Sequence, residues 1–309
     1  MLTVVILTYN EERHLARCIA SLQGLDAQLL VADSFSTDRT LEIAREHGAR
    51  VVQHPFETQA RQFNWALTQL EPDAEWVLRI DADEILTPEL VSEIRERLPR
   101  LGDEIDGVNV GRRMTFQGRL IRHGGVFPVH VLRLFRAGRG RCEDRWMDEH
   151  IKVPGQTVCF GGELIDDNLQ SLTWWTDKHN RYASREAVDL LNLEHGFMPQ
   201  DSVARLQGAG QAGLKRWLKE VVYARLPGGL RAFAYFFYRY VLRLGFLDGA
   251  EGTAFHVLQG FWYRYLVDAK VAEVQRYMAT TGCDVSEAIE HILQIRIDPL
   301  AALSDEKAT

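Results

Sequence analysis

Short apolar runs alternate with amphipathic stretches at the start of this chain. Four runs rich in β-branched and other apolar residues are predicted to be buried strands, at 2–7, 29–32, 51–52 and 76–80. Between them, apolar side chains recur three or four residues apart at 15–22, 40–46 and 59–70, which predicts helices. This alternation of strand and helix is typical of a parallel sheet covered by helices.

The pattern changes after a further predicted helix at 88–98. Strands are predicted at 105–110, 112–116 and 131–136, with tight turns between them such as the one at Gln117 and Gly118. From residue 164 the chain leads into a long helical region, which ends with an amphipathic helix at 285–297 and a loose tail after Pro299. We therefore expect an α/β domain followed by a mostly helical region.

Composition narrows the class of protein. The 309 residues suffice for one large domain or two modest ones, and 26% charged with 46% hydrophobic residues is ordinary for a folded protein. A net charge of −7 argues against a nucleic-acid binder. The stretch 205–243 nevertheless carries eight Lys or Arg against one acid, Glu220, and this local charge of +7 favours an anionic surface as partner.

Cysteine usage and the first residues suggest a compartment. The four cysteines are far apart and form no CxxC or Cys/His spacing, so we expect reduced packing residues of a cytosolic protein: Cys18, Cys142, Cys159 and Cys283. The chain begins directly with a predicted strand, and we expect no secretion signal.

Polar clusters follow three of the first four predicted strands, as TYNEE at 8–12, DSFSTD at 33–38 and DADE at 81–84. In parallel sheets, ligands bind beyond the carboxyl ends of the strands. Any one cluster is equally explained as a helix N-cap, because Ser, Thr, Asp and Asn are favoured there. Three clusters at one sheet edge favour a nucleotide-binding crevice.

Asp81 and Asp83 follow the fourth predicted strand. Residues two apart on an extended chain project to the same side, and Mg²⁺ and Mn²⁺ commonly bridge a carboxylate to substrate phosphates. The pair is a candidate metal and diphosphate site. The alternative is a turn or helix-capping role, because Thr87 and Pro88 predict a helix start just beyond.

Four motifs in this order resemble the family 2 glycosyltransferases, which have a GT-A fold. They are T-Y-N-E, D-S-x-S-x-D, Q-x-R-x-x-N-x-A-L beginning at Gln59, and D-A-D-E. Later stretches, including W-W-x-x-K-H-x-x-Y at 174–182, resemble the branch of the lipopolysaccharide-core β-glucosyltransferases and related exopolysaccharide enzymes. We expect that last pattern to be a packing seam. The resemblance implies a Rossmann-like, mostly parallel sheet in a catalytic domain at 1–165, with a nucleotide-sugar half (1–100) and an acceptor half (101–165), followed by a helical region at 166–309.

The resemblance also implies roles for individual residues. Thr8, Asn10 and Glu11 would line the nucleoside pocket, and Asp33 would accept a hydrogen bond from the uracil N3. A short carboxylate suits an imide N–H as a partner.

The resemblance implies that Arg61 lies near the diphosphate or the base, where a guanidinium suits a phosphate. It also implies that Asp81 meets the ribose and that Asp83 binds Mg²⁺ or Mn²⁺, with Asp81 beside it. Gln59 and Asn64 of the same helix motif are equally explained as exposed polar positions. Arg133 and Arg136 place two more cations near this region.

A second acidic cluster occurs in the sequence DRWMDEH at 144–150. Sugar transfer with inversion needs a carboxylate that takes the proton of the acceptor hydroxyl, and the family carries an acidic residue at this point of the chain. Glu149 and Asp148 compete for this catalytic role, with Glu149 preferred. His150 is a candidate metal ligand, or alternatively a structural histidine.

The stretch 230–247 is dense in aromatic residues but carries Arg231, Arg239 and Arg243, so it is unsuited to cross a bilayer. Arginines among aromatic residues fit a helix lying in the headgroup layer with its cations on lipid phosphates, and 255–267 repeats this character. The alternative is a buried helical pair. We expect monotopic contact with an anionic membrane surface.

Together these features predict an inverting, metal-dependent hexosyltransferase. It would move a sugar from a UDP-sugar to a lipid-anchored glycan acceptor of lipopolysaccharide core or exopolysaccharide assembly, at the cytoplasmic face of the inner membrane. The alternative from another class is a non-catalytic, membrane-bound scaffold that binds nucleotide sugars. A phosphatase with Asp81 as nucleophile is disfavoured, because the aspartate pair follows the fourth strand rather than the first.

Overall fold

The computed structural model describes residues 1–143, 150–198 and 229–297. These residues divide into two compact units, the first made of 1–170 with 247–252, and the second of 171–198, 229–246 and 253–297.

The first unit is built on a nine-stranded sheet with a separate two-stranded sheet beside it, among the residues that are described. Its strands in chain order are β1 (Leu2–Thr8), β2 (Ala27–Asp33), β3 (Arg50–Gln53), β4 (Trp76–Asp81), β5 (Glu84–Leu86), β6 (Ile105–Phe116), β7 (Arg119–Ile121), β8 (Val129–Arg136), β9 (Arg141–Cys142), β10 (Ile151–Lys152) and β11 (Gln156–Asp166). Its main helices are α1 (Leu15–Ser21), α2 (Thr40–Glu46), α3 (Gln59–Leu67) and α4 (Pro88–Arg97).

The large sheet has the order β3-β2-β1-β4-β8-β6-β11-β5, and β7 pairs with β6. Strands β3, β2, β1 and β4 are parallel neighbours, and β6 and β11 form another parallel pair. Helices α1, α2 and α3 connect the first four strands, because a parallel pair needs a crossover connection. The mixed α/β sheet is consistent with the expected GT-A fold.

Both faces of this sheet are buried, as parallel sheets require. Val4 and Ile6 of β1 pack into one apolar cluster, with Leu78 of β4. Val5, which points to the opposite face, packs into a second cluster with Phe63 of α3. The near-continuous apolar character of the first strands follows from burial on two sides.

The second half of the sheet differs from the prediction in four places. Residues 105–110 and 112–116 form one continuous strand, β6, because Gly111 lies in register opposite His130 of β8 and Glu163 of β11 rather than in a turn. Strands β5, β7 and β11 were not predicted. The turn at Gln117 and Gly118 is confirmed, and both residues have the positive φ values, 50° and 75°, that a two-residue hairpin favours.

The second unit is helical. Its elements include α5 (Leu172–His195), α6 (Leu230–Phe237), a π-helical turn (Tyr238–Leu242), a second π-helical turn (His256–Trp262), α8 (Tyr263–Thr281) and α9 (Val285–Leu293). A short helix α7 (Gly249–Phe255), whose residues 249–252 belong to the first unit, precedes the second π-helical turn. Its apolar cluster joins Val188 and Leu191 of α5 with Val274 of α8 and Ile289 of α9.

The aromatic stretch 230–247 is amphipathic, but two of its arginines do not face outward. Arg231 pairs with Asp268 of α8, and Arg239 is buried over the rings of Tyr235 and Phe255. The expectation that both cations meet lipid phosphates is therefore wrong, since each has an internal partner. Arg243 is exposed. In the described ranges, no helix has both the length and the apolar character that a bilayer crossing needs.

Candidate active site

The polar strand ends meet at one edge of the large sheet, as expected from the strand pattern. Thr8 at the end of β1 is in register with Asp33 at the end of β2, and Asp33 is in register with Gln53 of β3. On the other side of β1, Leu7 is in register with Asp81. The parallel topology thus brings four chain segments to one rim.

Asp33 is fully buried, and its hydrogen bonds connect the ends of β1, β2 and β3. Its carboxylate accepts hydrogen bonds from the Thr8 hydroxyl at 2.9 Å, the Ser36 N–H at 2.8 Å and the Gln53 amide at 3.1 Å, and also from the Ser36 hydroxyl. These donors fix the carboxylate in place. Its assignment to the uracil N3 stays a prediction.

Asn10 and Glu11 form hydrogen bonds with the segment after β2. Asn10 has a φ of 55°, a region that Asn tolerates better than most residues, and its side-chain oxygen accepts from the Thr37 N–H at 2.8 Å. The Glu11 N–H donates to the Thr40 hydroxyl at 2.7 Å. Two loops predicted to contact the nucleoside therefore form one hydrogen-bonded unit.

His14 connects Glu11 to the chain beyond β11. Its ring is fully buried, and its Nε2 accepts from the Leu169 N–H at 2.9 Å. Because a backbone N–H can only donate, Nε2 carries no proton and the proton lies on Nδ1. Nδ1 then donates to the Glu11 carboxylate at 2.6 Å.

Asp81 is held among arginines at the end of β4. Arg133 of β8 donates to Asp81 at 3.2 Å and to Glu84, a carboxylate that is 1% exposed. Burial would raise the pKa of Asp81, but the charges of Arg133, Arg79 and Arg112 outweigh it and hold that pKa well below its usual range. Burial raises the pKa of Glu84 to about 7 against the opposing charge of Arg133.

Asp83 has different surroundings. It is half-buried, and its Oδ2 accepts from the Asn168 amide at 2.9 Å. Among the described residues its Oδ1 accepts no hydrogen bond and no arginine pairs with it. Asp83 therefore has an oxygen available for a hard cation.

The donor set fits a divalent cation that is completed by substrate. In the parts of the chain that are described, no group of three or more His, Cys, Asp or Glu side chains is arranged to hold a metal. Mg²⁺ is commonly held by one or two carboxylates together with substrate phosphates. Asp83, with Asp81 two residues before it, supplies a set of this kind.

The helix α3 residues of the resemblance lie in three different settings. The Gln59 amide donates to Asp81 at 3.4 Å, so it faces the strand-end rim. Arg61 is exposed at the start of the helix and pairs with Glu57 at 2.7 Å. Asn64 exchanges two hydrogen bonds with the backbone of Cys142, at 2.9 and 2.8 Å, which is a structural role.

The predicted catalytic acids, Asp148 and Glu149, lie outside the described residues. His150 is exposed, and its Nδ1 lies 4.0 Å from the Glu143 carboxylate. Arg136 stacks on Trp76 at the opposite end of β4, so its expected place near the site is wrong. The alternation of side chains along β8 separates it from Arg133.

Several residues of this rim were missed by sequence reasoning. Glu84 was visible in the D-A-D-E motif, but its burial depends on the unpredicted strand β5. His14 and Asn168 carried no signal in the sequence, because each acquires its partner from a segment far along the chain.

Comparison with known proteins agrees with this geometry. The family described as Glycosyl transferase family 2 matches residues 3–156. The lipopolysaccharide core biosynthesis glycosyltransferase LpsC of Rhizobium meliloti is 36% identical over 216 residues, which cover 64% of this chain and 74% of LpsC. An uncharacterized glycosyltransferase of Rickettsia typhi is 40% identical over 93 residues, so this chain spans about a third (31%) of that relative.

Among solved structures, S. aureus TarS 1-349 in complex with UDP-GlcNAc is similar over 95% of this chain and 91% of its own. The identity is 15% and the TM-score is 0.44. The sequence match to LpsC extends over most of that protein. The chain belongs to glycosyltransferase family 2.

Proposed function

We propose that this chain is an inverting, metal-assisted hexosyltransferase that uses a UDP-sugar as donor. The observation that carries the proposal is the rim itself, where the available Asp83 carboxylate lies on the loop after β4 and the linked residues Thr8 and Asp33 end the adjacent strands. The sequence match to a lipopolysaccharide core glycosyltransferase supports a glycan acceptor.

In the proposed reaction the acceptor hydroxyl oxygen attacks the anomeric carbon as the bond from that carbon to the diphosphate oxygen breaks. Glu149, or Asp148, takes the hydroxyl proton, and UDP leaves. A divalent cation, when bound, offsets the negative charge that develops on the diphosphate. Asp83 would hold it, with Asp81 as its second carboxylate or as the ribose partner.

We place the acceptor at a lipid surface, as a lipid-linked glycan of lipopolysaccharide core or exopolysaccharide assembly. Large apolar side chains of α6 and the first π-helical turn are 39–62% exposed and recur at helical spacing: Leu230, Phe233, Phe237, Tyr238, Val241 and Leu242. From 229 to 247 the chain has no acidic residue. An exposed apolar face without acids suits the cytoplasmic face of the inner membrane, with its anionic lipids.

The enzymatic proposal is tested by measuring UDP release from a panel of UDP-sugars with and without Mn²⁺. We expect Mn²⁺-dependent release with at least one donor, and a loss of about 100-fold or more in Asp83→Ala. Asp73→Ala is the matched control, because Asp73 is exposed before the start of β4, at the other end of the strand. Equal turnover in both variants would refute the metal role of Asp83. A wild-type chain that binds UDP without turning over any donor would favour the scaffold alternative.

The membrane proposal is tested separately by flotation with vesicles of phosphatidylethanolamine and phosphatidylglycerol. We expect Phe233→Ser/Phe237→Ser to weaken partitioning by about tenfold, because two half-exposed aromatic side chains lose their apolar contact with lipid. Leu193→Ser is the control, since Leu193 is 66% exposed on α5. Equal partitioning of the two variants would place the membrane contact elsewhere.

A further inference from the structure

Four consecutive residues at the end of β11, which we call the clasp segment (166–169), contact several parts of the first unit. The contacts are Asp166 with Arg112, Asp167 with Arg17 and Thr115, Asn168 with Asp83, and the Leu169 N–H with His14. Strand β6, helix α1, the loop after β4 and the residue before α1 therefore all meet at this short segment.

The clasp segment donates two hydrogen bonds to Asp83 in the loop after β4. The Asp167 N–H donates to the backbone carbonyl of Asp83 at 3.0 Å, and the Asn168 amide donates to the Asp83 carboxylate at 2.9 Å. The first bond fixes the backbone and the second fixes the side chain. Both come from residues about 85 positions further along the chain.

The direction of the Asn168 side chain is determined by its other end. Its Oδ1 accepts from the Gln170 N–H at 2.9 Å, and a backbone N–H cannot pair with an amide nitrogen. The amide nitrogen must therefore face Asp83. Since one carboxylate oxygen of Asp83 is used by this bond, the other is the oxygen available to a ligand.

The charge around Asp83 explains why an amide suits this position. Asp166 is buried nearby, and its burial together with the charge of Asp83 raises its pKa. A third carboxylate at position 168 would add to this repulsion. The neutral Asn168 amide instead donates a hydrogen bond to Asp83 without adding negative charge.

We propose that Asn168 is a positioning residue for Asp83, holding Oδ2 so that Oδ1 is presented to the divalent cation of a nucleoside diphosphate. This inference rests on the proposed function. Asn168 acts through Asp83 and does not itself touch the cation. Hydrogen-bond partners of metal ligands commonly change metal affinity by 10–100-fold when they are removed.

The test compares Asn168→Ala and Asn168→Asp with the wild type by two readouts. The first is calorimetric binding of Mn²⁺ in the presence of UDP, and the second is the Mn²⁺ concentration that gives half-maximal UDP release. We expect Asn168→Ala to weaken Mn²⁺ about tenfold in both readouts, with kcat at saturating Mn²⁺ within about threefold of the wild type. Asn168→Asp should weaken Mn²⁺ further at pH 8, because two carboxylates cannot share the bond that the amide made.

Asn64→Ala is the matched control, because it removes a structural amide that bonds to the backbone of Cys142. It should lower the unfolding temperature and leave Mn²⁺ binding unchanged. Unchanged Mn²⁺ affinity in Asn168→Ala would overturn the inference, and tighter binding in Asn168→Asp would also overturn it by making position 168 a ligand. A wild-type chain that binds Mn²⁺ with UDP but turns over no donor would refute the proposed activity alone. A wild-type chain that binds neither would overturn both.

Discussion

The clearest test of the acidic rim is the removal of Arg133. Its guanidinium is 8% exposed and bridges two carboxylates, Asp81 at 3.2 Å and the nearly inaccessible Glu84. Substitution by Met keeps the length and apolar stem of the side chain but deletes the charge. We expect Arg133→Met to lower the free energy of unfolding by about 3–5 kcal/mol at pH 8.5, because the buried Glu84 carboxylate loses its closer cation while the Asp81 N–H at 2.9 Å and Arg112 at 3.7 Å remain.

The size of this loss should depend on pH, and the sign follows from the pKa of Glu84. Burial raises that pKa to about 7 in the folded protein, above its usual value of 4.5, so the folded chain binds this proton more readily than the unfolded chain. Removing Arg133 removes a charge that opposes the rise. The pKa of Glu84 in the variant should then be higher still, and the variant should regain stability as the pH falls toward 6.

The assay is urea denaturation followed by tryptophan fluorescence at pH 8.5 and pH 6. Arg136→Met is the matched control, because Arg136 of the same strand stacks on Trp76 and donates to the carbonyls of Ile105 and Gly102. The decrease in the free energy of unfolding in Arg136→Met should be similar at the two pH values.

A double variant separates the charge from the packing. Adding Glu84→Gln to Arg133→Met removes the negative charge that Arg133 had balanced most closely, and we expect it to restore about 1–3 kcal/mol at pH 8.5. The reasoning would be refuted if the loss in Arg133→Met were equal at both pH values, or if the double variant were no more stable than the single one.

Three further predictions concern stability. Burial lowers the pKa of His179 to about 4. The free energy of unfolding should therefore fall by about 1 kcal/mol between pH 6.5 and pH 4, after allowance for solvent screening. His179→Gln should abolish this contribution in urea titrations. In Gly162→Ala the new Cβ would lie 2.4 Å from the Leu90 Cα, and the free energy of unfolding should drop by about 1–3 kcal/mol. In Gly161→Ala the new Cβ would lie 3.9 Å from the Glu93 carboxylate, so the free energy of unfolding should change little. Thr87→Ala removes the cap of α4 and should lower the melting temperature, at a cost of about 1 kcal/mol.

The first half of the sheet could be predicted from the sequence because its signals are local. Strands β1, β2 and β4 are predominantly apolar, and burial on both faces of a parallel sheet produces that pattern. Once their order and direction are known, the meeting of Thr8, Asp33 and Asp81 at one edge follows from geometry.

The second half could not be predicted in the same way. Strand β11 contains Gly161 and Gly162 where helix α4 approaches closely, so its apolar pattern is broken. Strand β5 is three residues long, which is too short for any periodicity to appear. The partners of Asn168 and Arg231 lie 85 and 37 residues away, and nothing in their local sequence identifies those partners.

The arginines were misjudged for a related physical reason. A cation among aromatic residues satisfies the pattern of a lipid-facing helix and of a buried ion pair equally well. For Arg231 the deciding fact is a carboxylate on α8, and for Arg239 it is the rings and amide around its guanidinium. The membrane proposal therefore depends on the exposed apolar side chains and not on these two charges.

Asp81 and Asp83 have different partners at the rim. Asp81 shares Arg133 with Glu84 and is held charged by arginines, so its negative charge is already balanced within the protein. Asp83 pairs with no arginine among the described residues and receives only a neutral amide from Asn168. A cation responds to net local charge, and the uncompensated carboxylate attracts it more strongly. This contrast supports the proposal that Asp83 is the main carboxylate for the divalent cation, with Asp81 as its second carboxylate or as the ribose partner.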